Sequence, residues 1–153
     1  LRPFNTYGPR QSARAVIPTI ISQALRRNEI WLGNLTAKRD LTYITDTVDG
    51  FLRAGEKAGI EGQTFNLGTG SEISISDLAK LIISLIGRQV EIKVDEKRLR
   101  PKNSEVQQLL SDNKLALTRL GWRPQVDLET GLKSTIQWVS EHLSFYQSDL
   151  YQI

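Results

Sequence analysis

A helix followed directly by a strand, between residues 74 and 94, is the feature that most limits the fold of this chain. Four apolar residues there have the i, i+3, i+4, i+7 spacing of one helix face: Leu78, Leu81, Ile82 and Leu85. Ser74 and the acidic residue three positions later resemble a capping box at the start of this helix, and Gly87 is suited to its end. Residues 90–94 then alternate apolar and charged side chains, which is typical of a strand with one buried face. Helix and strand periods in direct succession favour an α/β fold.

The same alternation continues along the rest of the chain. Apolar periodicity predicts helices over residues 16–25 and 114–120. It also predicts a final helix, for which Asp127 is the expected N-terminal capping residue. A further helix is predicted to begin at a cap formed by Thr45 and Asp46. Its apolar residues Val48, Phe51 and Leu52 are expected on one face of that helix.

Short strands are predicted between these helices, at residues 1–5, 30–33, 39–44 and 64–68. No internal repeat or low-complexity linker divides the sequence, so residues 1–153 are expected to form a single domain of mixed short strands and helices. We interpret residues 1–9 as the end of a strand and the turn that follows it, and residues from about 145 onward as a loosely held tail.

The start of the sequence suggests that this chain is a fragment of a longer protein. It opens without an initiator Met inside an apparent strand, and it lacks the charged segment and apolar run of a signal peptide. We therefore expect the first strand to belong to a sheet that the fragment does not contain. The edge of that strand and a helix face would then be exposed, which predicts self-association.

The composition excludes several kinds of site. The sequence has no Cys and a single His, His142, which rules out disulfide bonds, thiolate metal sites and an ordinary zinc site. No apolar run approaches the roughly 18 residues that a membrane-spanning helix needs. The formal net charge of +3 fits an anionic small molecule as well as it fits nucleic acid. The absence of Cys agrees with a reducing cytoplasm, where we expect the protein to reside.

The first residues of the chain indicate a site for an anion. A strand that ends near Asn5 and turns at Gly8 belongs to the part of an α/β sheet where ligands bind. The Asn5 amide can donate to an anionic oxygen, and Arg10 and Arg14 add permanent cations. From the residues alone, an ordinary strand and turn with solvated arginines is the alternative.

Further arginines stand at predicted strand ends and loops, at Arg39 and Arg100. The planar guanidinium matches phosphate oxygens in two-point contacts, so arginines that converge from separate loops would suit a diphosphate. A surface role is the alternative for each arginine alone. The sequence contains no Ser/His or Cys/His pair and no glycine-rich phosphate loop.

Six short segments, in their order along the chain, resemble a known family. They are RPFNTYGPR, VIP, RDLTYITD, FNLG, RP and LGWRP, at residues 2–10, 16–18, 39–46, 65–68, 100–101 and 120–124. Together they resemble the carboxy-terminal, substrate-binding half of the NAD-dependent epimerase/dehydratase family, which are extended short-chain dehydrogenase/reductases acting on nucleotide sugars. Residues 5–15 are most similar to sugar-nucleotide 4,6-dehydratases of legionaminic-type nonulosonic acid biosynthesis.

The resemblance implies roles for individual positions in holding a nucleotide-diphosphate sugar. Asn5 corresponds to an asparagine that hydrogen-bonds the diphosphate, and Arg39 and Arg100 correspond to two arginines that clamp it. Val16 falls beside the base and ribose. The strand whose backbone lines the nucleobase corresponds to Trp31, Leu32 and Gly33.

Three further positions are less specific. Asn66 corresponds to an asparagine near the nucleotide, although Asn66 and Trp31 are equally compatible with structural roles. Arg10 and Arg14 are variable in the family and are candidates for additional anion contacts.

The resemblance also implies what this chain lacks. The family binds NAD on an amino-terminal Rossmann half, where a Tyr-x-x-x-Lys pair does the chemistry, and neither Tyr7 nor Tyr43 has a Lys four residues later. We therefore expect the whole protein to use NAD, and expect this chain alone to hold no NAD tightly, to be inactive, and to pair with the amino-terminal half. The alternatives are a sugar-nucleotide 4-epimerase of the same family and, from a different class, a basic RNA- or protein-binding module.

Overall fold

The computed structural model describes residues 1–99 and 105–146, and these residues form an α/β fold as predicted. The helices are α1 (Val16–Arg26), α2 (Ile44–Glu56), α3 (Ile75–Ile86) and α4 (Leu128–Glu141). Shorter helical turns are the 3-10 turns Glu96–Arg98 and Leu143–Phe145 and the π-helical segment Ala116–Leu120. Among the described residues, no helix has the length and apolar character needed to cross a bilayer.

Short strands in the same described ranges form small sheets, and most of their pairings are parallel. The strands are β1 (Arg2–Pro3), β2 (Thr6–Tyr7), β3 (Glu29–Leu32), β4 (Lys38–Arg39), β5 (Thr42–Tyr43), β6 (Asn66–Leu67), β7 (Ile73–Ser74), β8 (Glu91–Val94) and β9 (Gln108–Leu109). Strand β1 pairs with β6, β2 with β5, β3 with β8 and β4 with β9, all parallel, while β7 runs antiparallel to β4. The parallel pairs bring several strand ends to one region of the molecule.

The main core lies between α1, α3 and α4. Helix α1 contributes the fully buried apolar residues Ile17, Ile20, Ile21 and Ala24 to this core. The predicted stripe of α3 is buried at Leu78 and Ile82 and half-buried at Leu81 and Leu85. The Ser74 hydroxyl accepts from the Asp77 N–H at 3.0 Å, and Gly87 ends the helix with φ 73°, so the predicted start and end of α3 are confirmed.

A second, smaller core lies under α2. It consists of the buried residues Phe65, Leu67, Ala116, Leu120 and Trp122. The Trp122 indole N–H donates to the main-chain carbonyl of Asp46 at 2.8 Å, so this aromatic residue is anchored as well as buried. Helix α2 approaches Leu67 of β6 closely at Gly50, which has no side chain. A Cβ at this position would lie 2.5 Å from Leu67 Cδ1.

The single strand predicted over residues 39–44 is wrong. Strands β4 and β5 are separate because they pair with different neighbours, and Ile44 is already helical. The predicted cap is also wrong, since the N-cap position of α2 is Tyr43, which makes no side-chain capping bond. Asp46 is instead buried in the first turn, where its carboxylate accepts from the Val126 N–H at 3.1 Å.

The apolar face predicted on α2 is exposed in the part of the chain that the structure describes. Val48, Phe51 and Leu52 are 47%, 50% and 60% exposed. The helix packs through its opposite side, with Asp46, Thr47 and Gly50 buried. Helix α2 therefore has the predicted apolar face, but it contacts the second core through its smaller side chains.

The end of the described chain folds back onto α1. Phe145 is exposed, as expected for the start of a loose tail, but Tyr146 is buried and its hydroxyl donates to the Gln11 carbonyl at 3.1 Å. The Arg26 guanidinium donates to the carbonyls of Leu143 and Tyr146. The remainder of the predicted tail, residues 147–153, lies outside the described residues.

Candidate ligand-binding site

A cavity of about 510 Å³ opens where several strands end. Its volume lies within the range of roughly 300–1,000 Å³ that is usual for small-molecule sites. The cavity brings together six residues that the sequence analysis singled out: Asn5, Arg14, Val16, Leu32, Gly33 and Arg39. They come from the β1–β2 link, from α1 and its approach, from the end of β3 and from the end of β4.

Asn5 is fixed by bonds to the turn between β4 and β5. Its side-chain nitrogen donates to the Asp40 carbonyl at 3.0 Å, and its own carbonyl accepts from the Thr42 N–H at 3.3 Å. The Asn5 side chain is therefore held in one orientation at the cavity wall. Val16, half-buried at the first turn of α1, supplies apolar surface nearby.

Arg39 lies in the cavity wall opposite a carboxylate. Its guanidinium donates at 2.8 Å to the main-chain carbonyls of Lys38 and Val106. The same group forms a 3.4 Å ion pair with Glu105, and the two side chains are only 17% and 11% exposed. Glu105 also lines the cavity, so an anion that binds Arg39 competes with this carboxylate.

Arg98 is a residue of the cavity wall that the sequence reasoning missed. Its side-chain Nε donates to the Asp95 carboxylate at 3.1 Å. The backbone of Arg98 approaches β3 because Gly33 has no side chain, and a Cβ there would lie 2.7 Å from the Arg98 carbonyl oxygen. The cluster of basic residues before Pro101 is the sequence signal that could have identified it.

Trp31 and Asn66 do not line this cavity. Successive side chains of β3 point to opposite sides, so the Trp31 side chain faces away from that of Leu32 and is 39% exposed. The centre of the Trp31 ring lies 5.7 Å from the Lys93 ammonium nitrogen. The Asn66 side chain donates to the Asp112 carbonyl at 3.1 Å, which ties β6 to the loop after β9. Both residues therefore have structural contacts.

The backbone of Trp31 is also occupied. Its N–H donates at 2.9 Å to the side-chain oxygen of Gln23, and its carbonyl accepts from the Gln23 amide at 3.3 Å. Gln23 is buried in α1, so these bonds attach β3 to the helix. Of the segment predicted to line a nucleobase, only Leu32 and Gly33 reach the cavity.

Arg10 belongs to a different cavity, of about 570 Å³, near the end of α4. Its guanidinium carbon lies 5.4 Å from the centre of a Trp138 ring, which is a cation–π distance. The backbone of Arg10 is in the left-handed region, with a φ of 67°. In the arrangement described, Arg10 therefore does not join the arginines of the strand-end cavity. Arg100, the second predicted clamp arginine, lies outside the described residues.

Neither Tyr7 nor Tyr43 is placed for acid–base chemistry in the cavity. Tyr7 is buried, its hydroxyl donates to the Leu128 carbonyl at 3.3 Å, and burial raises the pKa of this hydroxyl far above its usual range. Tyr43 packs edge-on against the Tyr7 ring at 5.5 Å. These tyrosines serve the core between β2, β5 and α4.

A cavity at the ends of parallel strands, with arginine and amide groups in its wall, is the arrangement in which α/β enzymes hold anionic ligands. The sequence model of a family described as GDP-mannose 4,6 dehydratase matches residues 1–135. This chain therefore belongs to the GDP-mannose 4,6-dehydratase-like, NAD-dependent epimerase/dehydratase family, which confirms the resemblance inferred from the six segments.

Individual relatives include both epimerases and dehydratases. UDP-glucose 4-epimerase from Mycolicibacterium smegmatis is 37% identical over 143 residues, which is 90% of this chain and 44% of the relative. Human dTDP-D-glucose 4,6-dehydratase is 35% identical over 147 residues, covering 92% of this chain and 41% of the enzyme.

Solved structures of enzymes that act on sugar nucleotides are also similar to this chain. UDP-glucuronic acid 4-epimerase from Bacillus cereus, in complex with UDP-glucuronic acid and NAD, matches with a TM-score of 0.85 and 29% identity. The match covers 92% of this chain and 44% of the epimerase chain. The present chain thus spans less than half the length of the relatives that it matches here.

Proposed function

We propose that this chain is the nucleotide-sugar-binding part of an NAD-dependent sugar-nucleotide 4,6-dehydratase. The observation that carries the proposal is the cavity in which Asn5, Arg39, Val16 and the Leu32–Gly33 backbone meet. These residues were assigned to one ligand from the family resemblance, and they come from four separate segments of the chain. The arrangement combines groups for a diphosphate with apolar surface for a base and ribose.

The proposed binding mode assigns the diphosphate to Arg39, with Asn5 beside it. Arginine's planar fork suits paired phosphate oxygens, and the low exposure of Arg39 strengthens its attraction for an anion. Binding would exchange part of the Arg39–Glu105 pairing for contacts with phosphate. Arg98 and the exposed Arg14 add positive charge at the cavity, and we retain Arg100 as a proposed second clamp residue.

This part of the protein binds and orients the sugar nucleotide in our proposal, while the redox chemistry belongs elsewhere. NAD, held by an amino-terminal half, would supply the hydride chemistry that accompanies loss of water across C5 and C6 of the hexose. Tyr7 and Tyr43 are committed to the core, so we propose that the chain alone neither turns over a sugar nucleotide nor binds NAD tightly. Measurable turnover by the purified chain would contradict this.

The apolar face of α2 is the proposed contact with that amino-terminal half. It consists of Ile44, Val48, Phe51 and Leu52, all exposed. The β1–β6 pair lies beside the same helix, because α2 packs through Gly50 onto Leu67 of β6. In the isolated chain we propose self-association through this exposed face of α2.

A sugar-nucleotide 4-epimerase is the second candidate. The Mycolicibacterium smegmatis relative, a UDP-glucose 4-epimerase, supports it. Mass spectrometry of the products made by the whole protein with NAD separates the two reactions, because a dehydratase product is lighter by one water and an epimerase product has unchanged mass. We also propose a legionaminic-type sugar and a cytoplasmic location, the latter because the sequence has no Cys.

Calorimetric titration with UDP, GDP and dTDP tests the proposed binding. We expect weak binding of one or more of them, and expect R39A and R100A each to lower the affinity at least about tenfold because a charged two-point contact is lost. R123A, at an exposed arginine outside the cavity, is the matched control and should leave affinity unchanged. Equal binding by R39A and R123A would contradict the proposed role of Arg39.

A further inference from the structure

Asp40 is a fully buried carboxylate beside the candidate site, and each of its oxygens accepts two hydrogen bonds. Oδ1 accepts from the Thr69 N–H at 2.8 Å and from the Thr69 hydroxyl at 2.7 Å. Oδ2 accepts from the Gly70 N–H at 2.9 Å and from the Ser111 N–H at 3.1 Å. The carboxylate thus joins the turn after β6 to the segment after β9.

The backbone of Asp40 makes two more connections. Its N–H donates to the Leu109 carbonyl of β9 at 2.9 Å, and its carbonyl accepts from the Asn5 side chain at 3.0 Å. Asp40 therefore contacts three separate parts of the chain: the link between β1 and β2, the turn that follows β6, and strand β9. Two of its neighbours, Asn5 and Arg39, line the cavity.

The position of Arg39 depends on the same network. Arg39 immediately precedes Asp40 and is in register with Leu109, and its guanidinium is held by Val106 and Glu105 just before β9. The Asp40 carboxylate fixes the other end of β9 at Ser111. A shift of β9 relative to β4 would therefore move the Arg39 side chain in the cavity.

We propose that Asp40 is a positioning residue that sets Asn5 and Arg39 at a fixed separation for one diphosphate. This inference rests on the proposed function, in which these two side chains bind that group. Asp40 itself lies behind the cavity wall and touches no ligand. Its effect on binding is transmitted through Arg39 and Asn5.

The substitution D40N tests the proposal because it preserves size and removes acceptors. A carboxylate accepts on both oxygens, whereas an amide accepts on its oxygen and donates from its nitrogen. Whichever way the new amide turns, its NH₂ group faces at least one main-chain N–H donor, that of Thr69 or those of Gly70 and Ser111, so at least one hydrogen bond is lost in either orientation. D46N is the matched control, since Asp46 is also buried and its carboxylate accepts from the Val126 N–H, outside the cavity.

Two measurements are made on D40N, D46N and the unsubstituted chain. Calorimetry should give an affinity for the preferred nucleotide that is about tenfold lower for D40N and within about twofold for D46N. Amide hydrogen exchange without ligand should be faster in D40N at Lys38 and Thr42, whose N–H groups bond to Gln107 and Asn5, and unchanged in α3. Should D40N fail to fold, T69V is measured in its place. It removes one of the four donors to the Asp40 carboxylate, together with the bonds of the hydroxyl to Ser71, and a smaller loss of affinity is expected.

A double-substitution cycle separates positioning from general destabilisation. If Asp40 acts through Arg39, D40N should cost clearly less affinity in an R39K background than in the unsubstituted chain. An equal fold-loss in both backgrounds, or unchanged exchange at Lys38 and Thr42, would overturn the proposal. If the unsubstituted chain binds none of the three nucleotides while D40N accelerates exchange, the proposed function fails and the structural part of the Asp40 inference stands.

Discussion

Gly68 shows how closely single residues are fitted around Asp40. A Cβ at this position would overlap Ser111 Cβ and would lie 2.9 Å from Asp40 Oδ2, and both of these residues are buried. The Gly68 carbonyl also accepts from the Asn113 side chain at 2.7 Å. The glycine in the FNLG segment is therefore explained by its close packing against Ser111 and Asp40.

We predict that G68A destabilises the fold by about 1–3 kcal/mol, because an added methyl overpacks a buried site. Chemical denaturation followed by circular dichroism measures the free energy of unfolding. G55A is the matched control, since a Cβ at Gly55 in α2 meets nothing within 4 Å, and it should stabilise the chain by about 0.5–1 kcal/mol. The same sign for both variants would contradict this explanation of Gly68.

At the residue scale, the sequence predicted part of the site through the family resemblance. Asn5, Val16 and Arg39 were assigned to one ligand, and the fold brings them to one cavity. Trp31 was assigned through its backbone, whose N–H and carbonyl are both bonded to the Gln23 side chain. Arg98 was missed because its approach depends on Gly33. Distances between residues far apart in sequence cannot be derived from either residue alone.

The cap of α4 gives a prediction at the scale of one element. Asp127 accepts from the Thr130 N–H at 2.8 Å and from the Thr130 hydroxyl at 2.7 Å, and these bonds hold the pKa of its carboxyl below the usual value. The lowered folded pKa means that Asp127 stabilises the fold above its unfolded pKa of about 4, and that this contribution is lost as the pH falls through the folded value.

We predict that D127N, which keeps a capping oxygen but no charge, is less stable than the unsubstituted chain at pH 7. The difference in free energy of unfolding should shrink as the pH falls below the unfolded pKa of about 4 and through the lower folded pKa, because Asp127 then becomes protonated. Other groups titrate in both proteins and cancel in the difference. A difference that is independent of pH would show that the carboxylate charge does not contribute.

The exposed face of α2 gives a second prediction at this scale. The substitutions F51S and L52S should change the free energy of unfolding by less than about 0.5 kcal/mol each, because both side chains are exposed. L132A, in the fully buried core of α4, should cost about 2–5 kcal/mol. Light scattering over a concentration series should show self-association of the unsubstituted chain that F51S and L52S both weaken.

A strictly monomeric chain at every concentration would contradict the proposed contact surface. An equal tendency to associate in F51S, L52S and the unsubstituted chain would assign association to another surface. L132A does not alter the exposed face of α2, so it serves as the control for effects of lowered stability on scattering.

Elements differ in how far the sequence determined them. Helices α1 and α3 were predictable because each has a complete apolar stripe, and α3 also has a local cap and stop. The stripe of α2 is equally clear but is exposed, since periodicity identifies an apolar face without identifying what covers it. Residues 39–44 were predicted as one strand because the pairing of β4 and β5 with different neighbours is decided by distant segments.

At the scale of the whole molecule, family membership and a local site support each other. The match to the family extends over residues 1–135, and the cavity lies within that span. The chain covers 44% and 41% of the lengths of the two relatives described, and the reaction of the whole protein belongs to the proposed function. In our proposal, the strand-end cavity of this chain binds a nucleotide diphosphate.

The most direct test is a titration of the ¹⁵N-labelled chain with UDP, GDP and dTDP, followed by amide chemical shifts. We predict shifts concentrated at Asn5, Val16 and Gly33, which line the strand-end cavity, with little change at Ala13 and Trp138 near the second cavity. Shifts confined to the second cavity, or none in a folded chain at millimolar nucleotide, would contradict the proposed binding site.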